Sequence, residues 1–200
     1  MPAKELISKE ISFVAPTATA AEAREMMEEQ NLNALPVVYD GRLAGLLQAR
    51  HLDQAPDSTD SIARIELETR FVRDDATLFD LLAAFAATEA DVMPVLTHDD
   101  RYVGSITAAS TLHRLAMLTE AGTPGAIILL EMEPYDYALS DIARITEQNN
   151  ARVINLFTFP DDESGLMRVM LKVDHEDATN IVRSFERYNY RVINHYHHAP

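Results

Sequence analysis

The sequence contains no cysteine. That excludes disulfides, thiolate metal sites and cysteine nucleophiles, and it suits a reducing compartment, so a cytoplasmic location is the expectation. No apolar run approaches the roughly 18 residues that a membrane helix needs. The opening Met1-Pro2-Ala3-Lys4-Glu5-Leu6 lacks the charged-then-apolar order of a signal peptide. Membrane association is therefore not expected. Positive charge is also scarce: 17 Lys and Arg stand against 32 Asp and Glu, for a net charge of −15. So acidic a chain is a poor partner for nucleic acid, and a phosphate ligand would need a local basic pocket working against the general field. Catalytic signatures are missing too. There is no nucleophile-elbow serine, no H-E-x-x-H and no P-loop. The acid pairs Asp74-Asp75, Asp99-Asp100 and Asp161-Asp162 fall in turns, where Asp is favoured for backbone reasons. No catalytic residue and no enzymatic activity are expected.

What is present is a chain of 200 residues, 47% apolar and 24% charged, enough for one or two domains with a real core. Its organising stretch is Leu35-Pro36-Val37-Val38, a turn at Asp40-Gly41, and Leu43-Ala44-Gly45-Leu46-Leu47, which reads as two buried strands joined by a tight hairpin. A short helix near 49–53 follows, then a polar connection over 54–61. Upstream, Ile7 to Val14 reads as extended. Thr19-Ala20-Ala21-Glu22 is a capping box that opens a helix with Ala23, Met26, Met27 and Leu32 on one face, and Asn31 and Asn33 suit its exit. The pattern then restarts. Phe13-Val14 matches Phe71-Val72, Ala18-Thr19 matches Ala76-Thr77, and Pro36 matches Pro94, all at an offset of 58; Gly45 and Gly104 lie one residue further apart because the second hairpin is longer. Leu78, Leu81, Leu82 and Phe85 supply the buried face of the repeated helix. A unit of this length occurring twice predicts two copies packed face to face rather than a solenoid.

These residues resemble the cystathionine-β-synthase (CBS) domain. The duplicated order is strand, helix, h-P-V-h strand, then x-x-G-h-h-[ST]-x-x-D running into a helix. Two such units in tandem look like a Bateman module, covering about Met1 to Leu118. The resemblance implies CBS repeats at 1–60 and 61–118 and an adenosyl ligand of the AMP, ADP or ATP type between them. In that family the Asp after the glycine holds the ribose hydroxyls and the Ser/Thr contacts sugar or phosphate. Here the matching positions are Gln48 and His51 in the first repeat, and Thr107 and Ser110 in the second. Both ribose carboxylates are absent, at a cost of roughly 1.5–3 kcal/mol for each lost charge-assisted hydrogen bond. The second cleft is the better candidate, with backbone contacts beside Pro36 and Pro94 as the remaining handles. Arg50, His51, His113 and Arg114, where helices leave the glycine strands, could meet phosphates; the competing reading pairs these arginines with surface carboxylates.

Gly122 and Pro124 mark a linker over 119–125. Beyond it come an apolar strand at Ala126–Glu131, a helix capped by Ser140, a strand at 152–159 with Val153, Asn155, Phe157 and Phe159 on one face, a hairpin connection, and a strand to Val173. A helix over 177–188 and a last strand near 190–196 complete the chain. The order β-α-β-β-α-β is ferredoxin-like, and after a CBS pair it looks like an ACT-type domain over 126–200. The layout is similar to the CBS–ACT proteins that include acetoin-utilisation accessory proteins. The expected fold class is α+β. In ACT domains a small ligand, often an amino acid, commonly sits at the first strand–helix turn, here Met132 to Tyr137, but the family's glycine is missing there. The terminal Asn194-His195-Tyr196-His197-His198 invites a metal reading; against it, the three imidazoles are expected to alternate between faces of a polar terminus that frays, so no metal site is assigned. Two functions stay open. One is a non-enzymatic regulatory sensor. The other is a dimeric interaction module with degenerate, ligand-free clefts that serves an unknown protein partner. Alanines at 83, 84, 86 and 87 permit close helix approach and favour a homodimer in either case.

Overall fold

A computed structural model describes residues 2–53, 59 and 61–198, so most of the connection expected over 54–61 lies outside the described residues. The chain divides into two compact units, Met1–Leu115 and Ala116–Pro200.

The first unit contains the two repeats. In the first, α1 (Ala20–Gln30) leads to β1 (Ala34–Tyr39), β2 (Arg42–Gln48) and the single turn α2 (Ala49–Leu52). In the second, β3 (Val72–Arg73) and α3 (Leu78–Ala86) lead to β4 (Val92–Leu96), β5 (Tyr102–Thr107) and α4 (Ala108–Leu118). Both long-helix starts carry the expected reciprocal cap. Thr19 accepts from the Glu22 N–H while Glu22 accepts from the Thr19 N–H, and Thr77 and Asp80 repeat the arrangement. These caps satisfy helix-end donors that would otherwise lack partners. Both carboxylates are held below their usual range, first by the backbone hydrogen bond and then by the threonine hydroxyl. The first hairpin closes with Asp40 and Gly41 both at positive φ, 50° and 69°, as a two-residue Asp-Gly turn requires.

The two repeats exchange their leading segments. Residues 3–8 pack on the second repeat: Ala3 N–H donates to Ala76 O at 2.6 Å, and Ser8 N–H donates to Ser105 O at 2.8 Å. Residues 62–68 pack on the first: Ile62 N–H donates to Ala18 O at 2.9 Å, and Leu46 and Glu68 exchange backbone hydrogen bonds at 2.8 and 3.1 Å. Ile7 to Val14 thus forms no regular strand, only isolated bridges of Ser8 to Ser105 and Val14 to Val37. The matched glycines sit under these segments. A β-carbon on Gly45 would lie 2.5 Å from Leu67 Cβ, and one on Gly104 would overlap Ile7 Cγ2. Opposite each glycine the hairpin register slips, at Val37/Val38 and at Val95/Leu96.

In the second unit, β6 (Gly125–Met132), α5 (Leu139–Glu147), β7 (Val153–Pro160), β8 (Met167–Val173), α6 (Thr179–Arg187) and β9 (Arg191–His198) form an antiparallel sheet in the order β7-β8-β6-β9. This is the ferredoxin-like arrangement. One sheet face, including Ile128, Leu130, Val169 and Leu171, packs on Ile142, Ile145, Ile181 and Phe185 of the helices. Two expectations need correction. Ser140 is not the cap: α5 starts at Leu139 with Ala138 at the cap position and no side-chain hydrogen bond there. The simple alternation over 153–159 also fails. A bulge lets Val153 pair with Val173 and Asn155 with Lys172, so Val153 and Leu156 both reach the helix-side core. Among the described residues no helix is long and apolar enough to cross a membrane.

The exchanged segments give a direct test. Gly45→Ala and Gly104→Ala should each lose about 1–3 kcal/mol through overpacking, read as a fall in the apparent melting temperature. Gly122→Ala, where a β-carbon meets nothing within 4 Å, should leave it unchanged.

Candidate functional site

The two residue sets following the glycines are equivalent in position but different in chemistry. Each starts a helix at the end of a hairpin strand. In the first repeat Gln48 precedes α2, and its backbone N–H donates to His51 Nδ1 at 3.2 Å. His51 Nε2 lies 3.7 Å from Glu68 Oε1, with only 14% of the side chain exposed. Arg50 is committed to two carboxylates, Glu68 and, at 3.1 Å, Glu89. Burial raises the Glu68 pKa, but hydrogen bonds from Arg50 and Arg70 outweigh it and hold the carboxyl below its usual value. Gln48 is 3% exposed, and its Nε2 has no hydrogen-bond partner among the described residues. Strand alternation places Gln48 on the face of Leu46, which packs with Ala34 and Ala90 at the seam between repeats. The histidine and arginine here are tied up by a segment that arrives from outside the repeat.

The second start is less committed. Thr107 Oγ1 accepts from the Ser110 N–H at 3.0 Å, and Ser110 Oγ donates to Thr107 O at 2.9 Å. Each hydroxyl keeps unused capacity: Thr107 still has a proton to donate and Ser110 still has lone pairs to accept with. Arg114 makes no ion pair among the described residues. Ser110 and Arg114, four residues apart, share one face of α4, and Thr107 is the residue immediately before the helix. Pro36 and Pro94 are buried in their strands, paired with Leu46 and Ser105. The Pro36 carbonyl already accepts from the Val14 N–H at 2.9 Å, which removes one of the expected backbone handles in the first repeat.

Sequence reading missed the polar seam. Asn33, expected to end a helix, instead exchanges hydrogen bonds with Asp91, which follows it by 58 residues: Asn33 N–H donates to Asp91 Oδ2 at 2.9 Å, and Asp91 N–H donates to Asn33 Oδ1 at 3.0 Å. The shared offset was the available signal. Asn33 and Asp91 line an open groove of about 520 Å³ with Arg24, Glu28 and Ala49. Asp91 Oδ1 is buried without a partner among the described residues, and burial pushes the carboxyl pKa up. A second groove, about 580 Å³, is lined by Phe13, Met26 and the acids Glu22, Glu25 and Glu29. Both grooves are short of the basic groups that phosphates require.

In the second unit the histidines do not lie on the frayed terminus expected of them: β9 stays paired with β6 as far as Gly125 opposite His198. His195 and His197, two residues apart, share a strand face and line one groove with Glu176 and Asp177.

With this geometry in view, the relatives can be placed. Residues 3–56 match the family model of the CBS domain. Over 114 residues the chain is 25% identical to an inosine-5'-monophosphate dehydrogenase of Methanocaldococcus jannaschii, a match that takes in 56% of this chain and only 23% of that protein. A CBS domain pair/ACT domain protein of Thermotoga maritima superposes with a TM-score of 0.54 and 21% identity, over 58% of this chain and 98% of that one. The CBS-pair protein CBSX2, in complex with AMP, gives 0.51 and 17% over 58% and 97%. Identities this low in the two structures speak for fold alone. Residues 3–56 thus match the CBS domain, the first unit shares the fold of these CBS-pair structures, and the unit that follows it is ferredoxin-like.

The seam carboxylate yields an expected outcome. A raised acid contributes stability in full below its ordinary pKa and loses it as pH rises through the raised value. Asp91 therefore weakens the fold when ionised at neutral pH. Asp91→Asn keeps an acceptor for Asn33 and removes the charge, so at pH 7 it should raise the melting temperature by about 2 °C, with the gain shrinking toward pH 5. Asp91→Ala, which strands the Asn33 N–H, should cost about 1–3 kcal/mol.

Proposed function

We propose that the protein is a non-enzymatic regulatory sensor whose CBS pair takes an adenosyl ligand at the start of α4, with Thr107, Ser110 and Arg114 as its contacts and Pro94 beside them. The observation that carries this reading is the spare hydrogen-bonding capacity of Thr107 and Ser110 at the start of an 11-residue helix, where the helix dipole favours an anion. The AMP-bound CBSX2 structure supports the ligand class through shared fold. Gln48, Arg50, His51 and Pro36 are internally satisfied or buried, and they stand as the weaker half of the proposed site. The acidity of the neighbouring grooves favours an adenosyl ligand with few phosphates, AMP or S-adenosylmethionine, over ATP. We assign the sequence to repeats at 1–60 and 61–118, a linker at 119–125 and an ACT-like domain at 126–200, in keeping with the layout of acetoin-utilisation accessory proteins. The second domain, reached along α4, transmits or receives a signal, and an amino acid is the ligand class its fold suggests. The proposed setting is cytoplasmic.

A second reading, a dimeric interaction module, draws on α3. Its outer face exposes Phe79 at 78% beside the exposed Ala83, Ala86 and Ala87, an apolar surface suited to close helix contact.

Ligand binding raises stability by mass action, by about 2.7 kcal/mol at a hundred times Kd. In a thermal-shift series AMP and S-adenosylmethionine should raise the melting temperature more than ATP, and Thr107→Val with Ser110→Ala should abolish the rise. No shift with any adenosyl compound at millimolar concentration would sink the sensor reading and leave the interaction module. Light scattering should return about twice the 22.4 kDa chain mass; a strict monomer would count against the α3 dimer.

A further inference from the structure

The groove beside the sheet's edge strand contains chemistry that neither function uses. Its volume is about 450 Å³, and it is lined by His195, Tyr196 and His197 from β9 and by Glu176, Asp177 and Ala178 from the β8–α6 connection. His195 and His197 stand two residues apart, roughly 6.7 Å along an extended strand, on one face. They lie opposite Ile128 and Ala126, which face the helix-side core. At the edge of the sheet that face meets the acidic connection instead. Both imidazoles are exposed to solvent there.

The His197 ring is oriented by the main chain. Its Nδ1 lies 3.1 Å from Glu176 O, and a carbonyl can only accept, so Nδ1 carries the proton. The other nitrogen, Nε2, faces the carboxylate of the same Glu176, with 3.9 Å between Nε2 and Oε2. Imidazole nitrogen and carboxylate oxygen thus face each other across a gap that a shared cation can bridge. Tetrahedral coordination with zinc-to-ligand distances near 2.1 Å sets nitrogen and oxygen ligands roughly 3.4 Å apart, so the pair, 3.9 Å apart, needs to close by only about half an ångström. An Nδ1–H to carbonyl hydrogen bond is also the outer contact that metal-bound histidines usually make. Asp177 is fixed beside them, accepting from the Thr179 N–H at 2.9 Å.

We propose that His195, His197 and Glu176, with Asp177 alongside, form a binding site for a divalent transition-metal ion of the zinc class. Two imidazoles and a carboxylate without thiolate suit zinc or nickel better than magnesium or calcium, which prefer all-oxygen shells. A different group, Asp74, Asp75 and His98, brings three ligand atoms within 4.8 Å of one another in the first unit. Two of its three residues are fully exposed, and His98 Nε2 is already 3.1 Å from Asp75 Oδ2. That group serves as the internal control.

The test is a zinc chloride titration of the full chain by calorimetry, with stoichiometry checked by equilibrium dialysis. One ion per chain with a Kd of about 10 µM or tighter is expected. His195→Ala and His197→Ala should each weaken binding at least about tenfold, and Glu176→Gln with Asp177→Asn should do the same. His98→Ala should change nothing, and unchanged circular dichroism will show that the variants fold. Three results would overturn the proposal: no binding below about 100 µM zinc, binding lost in His98→Ala but kept in the β9 variants, or full affinity in the Glu176→Gln, Asp177→Asn double variant. The last would mean that imidazoles at the chain end capture zinc without the groove.

Discussion

The first unit depends on the close approach of two backbone segments to two glycines. At Gly45 the incoming chain carries Leu67, and at Gly104 it carries Ile7; in both places a side chain on the glycine would collide with the visitor. Because the visitor comes from ahead of the other repeat in each case, neither repeat is complete alone. Residues 3–8 finish the second hairpin, and residues 62–68 finish the first. Closing these long connections costs chain entropy that grows only slowly with length, so burial of a few apolar side chains at each end offsets it. The two repeats accordingly lie in one compact unit, Met1–Leu115.

The exchange also sets the chemistry of the candidate site. Glu68 arrives with the visiting segment and occupies Arg50 and the neighbourhood of His51. In the equivalent place on the second repeat the visitor is Ser8, which carries no charge and bonds to Ser105 through backbone alone. The asymmetry between the two helix starts, one neutralised and the other with hydroxyl capacity to spare, therefore has two sources: the residues at each start, and the difference between Ser8 and Glu68 in the segment laid across it.

That dependence explains which features could be read from the sequence. Caps, the Pro-Val strands and the repeated glycines carry side-chain signatures at fixed spacing, and they locate the elements of both repeats. The exchange does not, because backbone hydrogen bonds between Ser8 and Ser105 or between Leu46 and Glu68 require no particular residue. Asn33 was misjudged for a related reason. Asparagine suits helix exits in general, and only the matching Asp91 on another repeat reveals its role across the seam. In the second unit, the bulge between Val153 and Asn155 breaks an alternation that looked regular. Of the three terminal histidines, His195 and His197 are spaced by two residues and line one groove, a placement that strand alternation permits and that only the course of the β8–α6 connection reveals.

Charge links both ligand questions. Most of the arginines described here are spent on nearby carboxylates: Arg24 on Asp53, Arg73 on Asp100, Arg144 on Asp141, Arg152 on Asp174, and Arg168 on Asp161. Exposed pairs of this kind add little stability, but they leave few cations free to receive phosphates in a chain with a net charge of −15. A multiply charged anion approaching this surface works against the field, whereas a divalent cation is drawn toward it, over a Debye length of about 8 Å at physiological salt. The same surplus of carboxylates thus disfavours ATP at α4 and favours a metal ion at the β9 groove, where two imidazoles supply the selectivity that acidic groups alone lack.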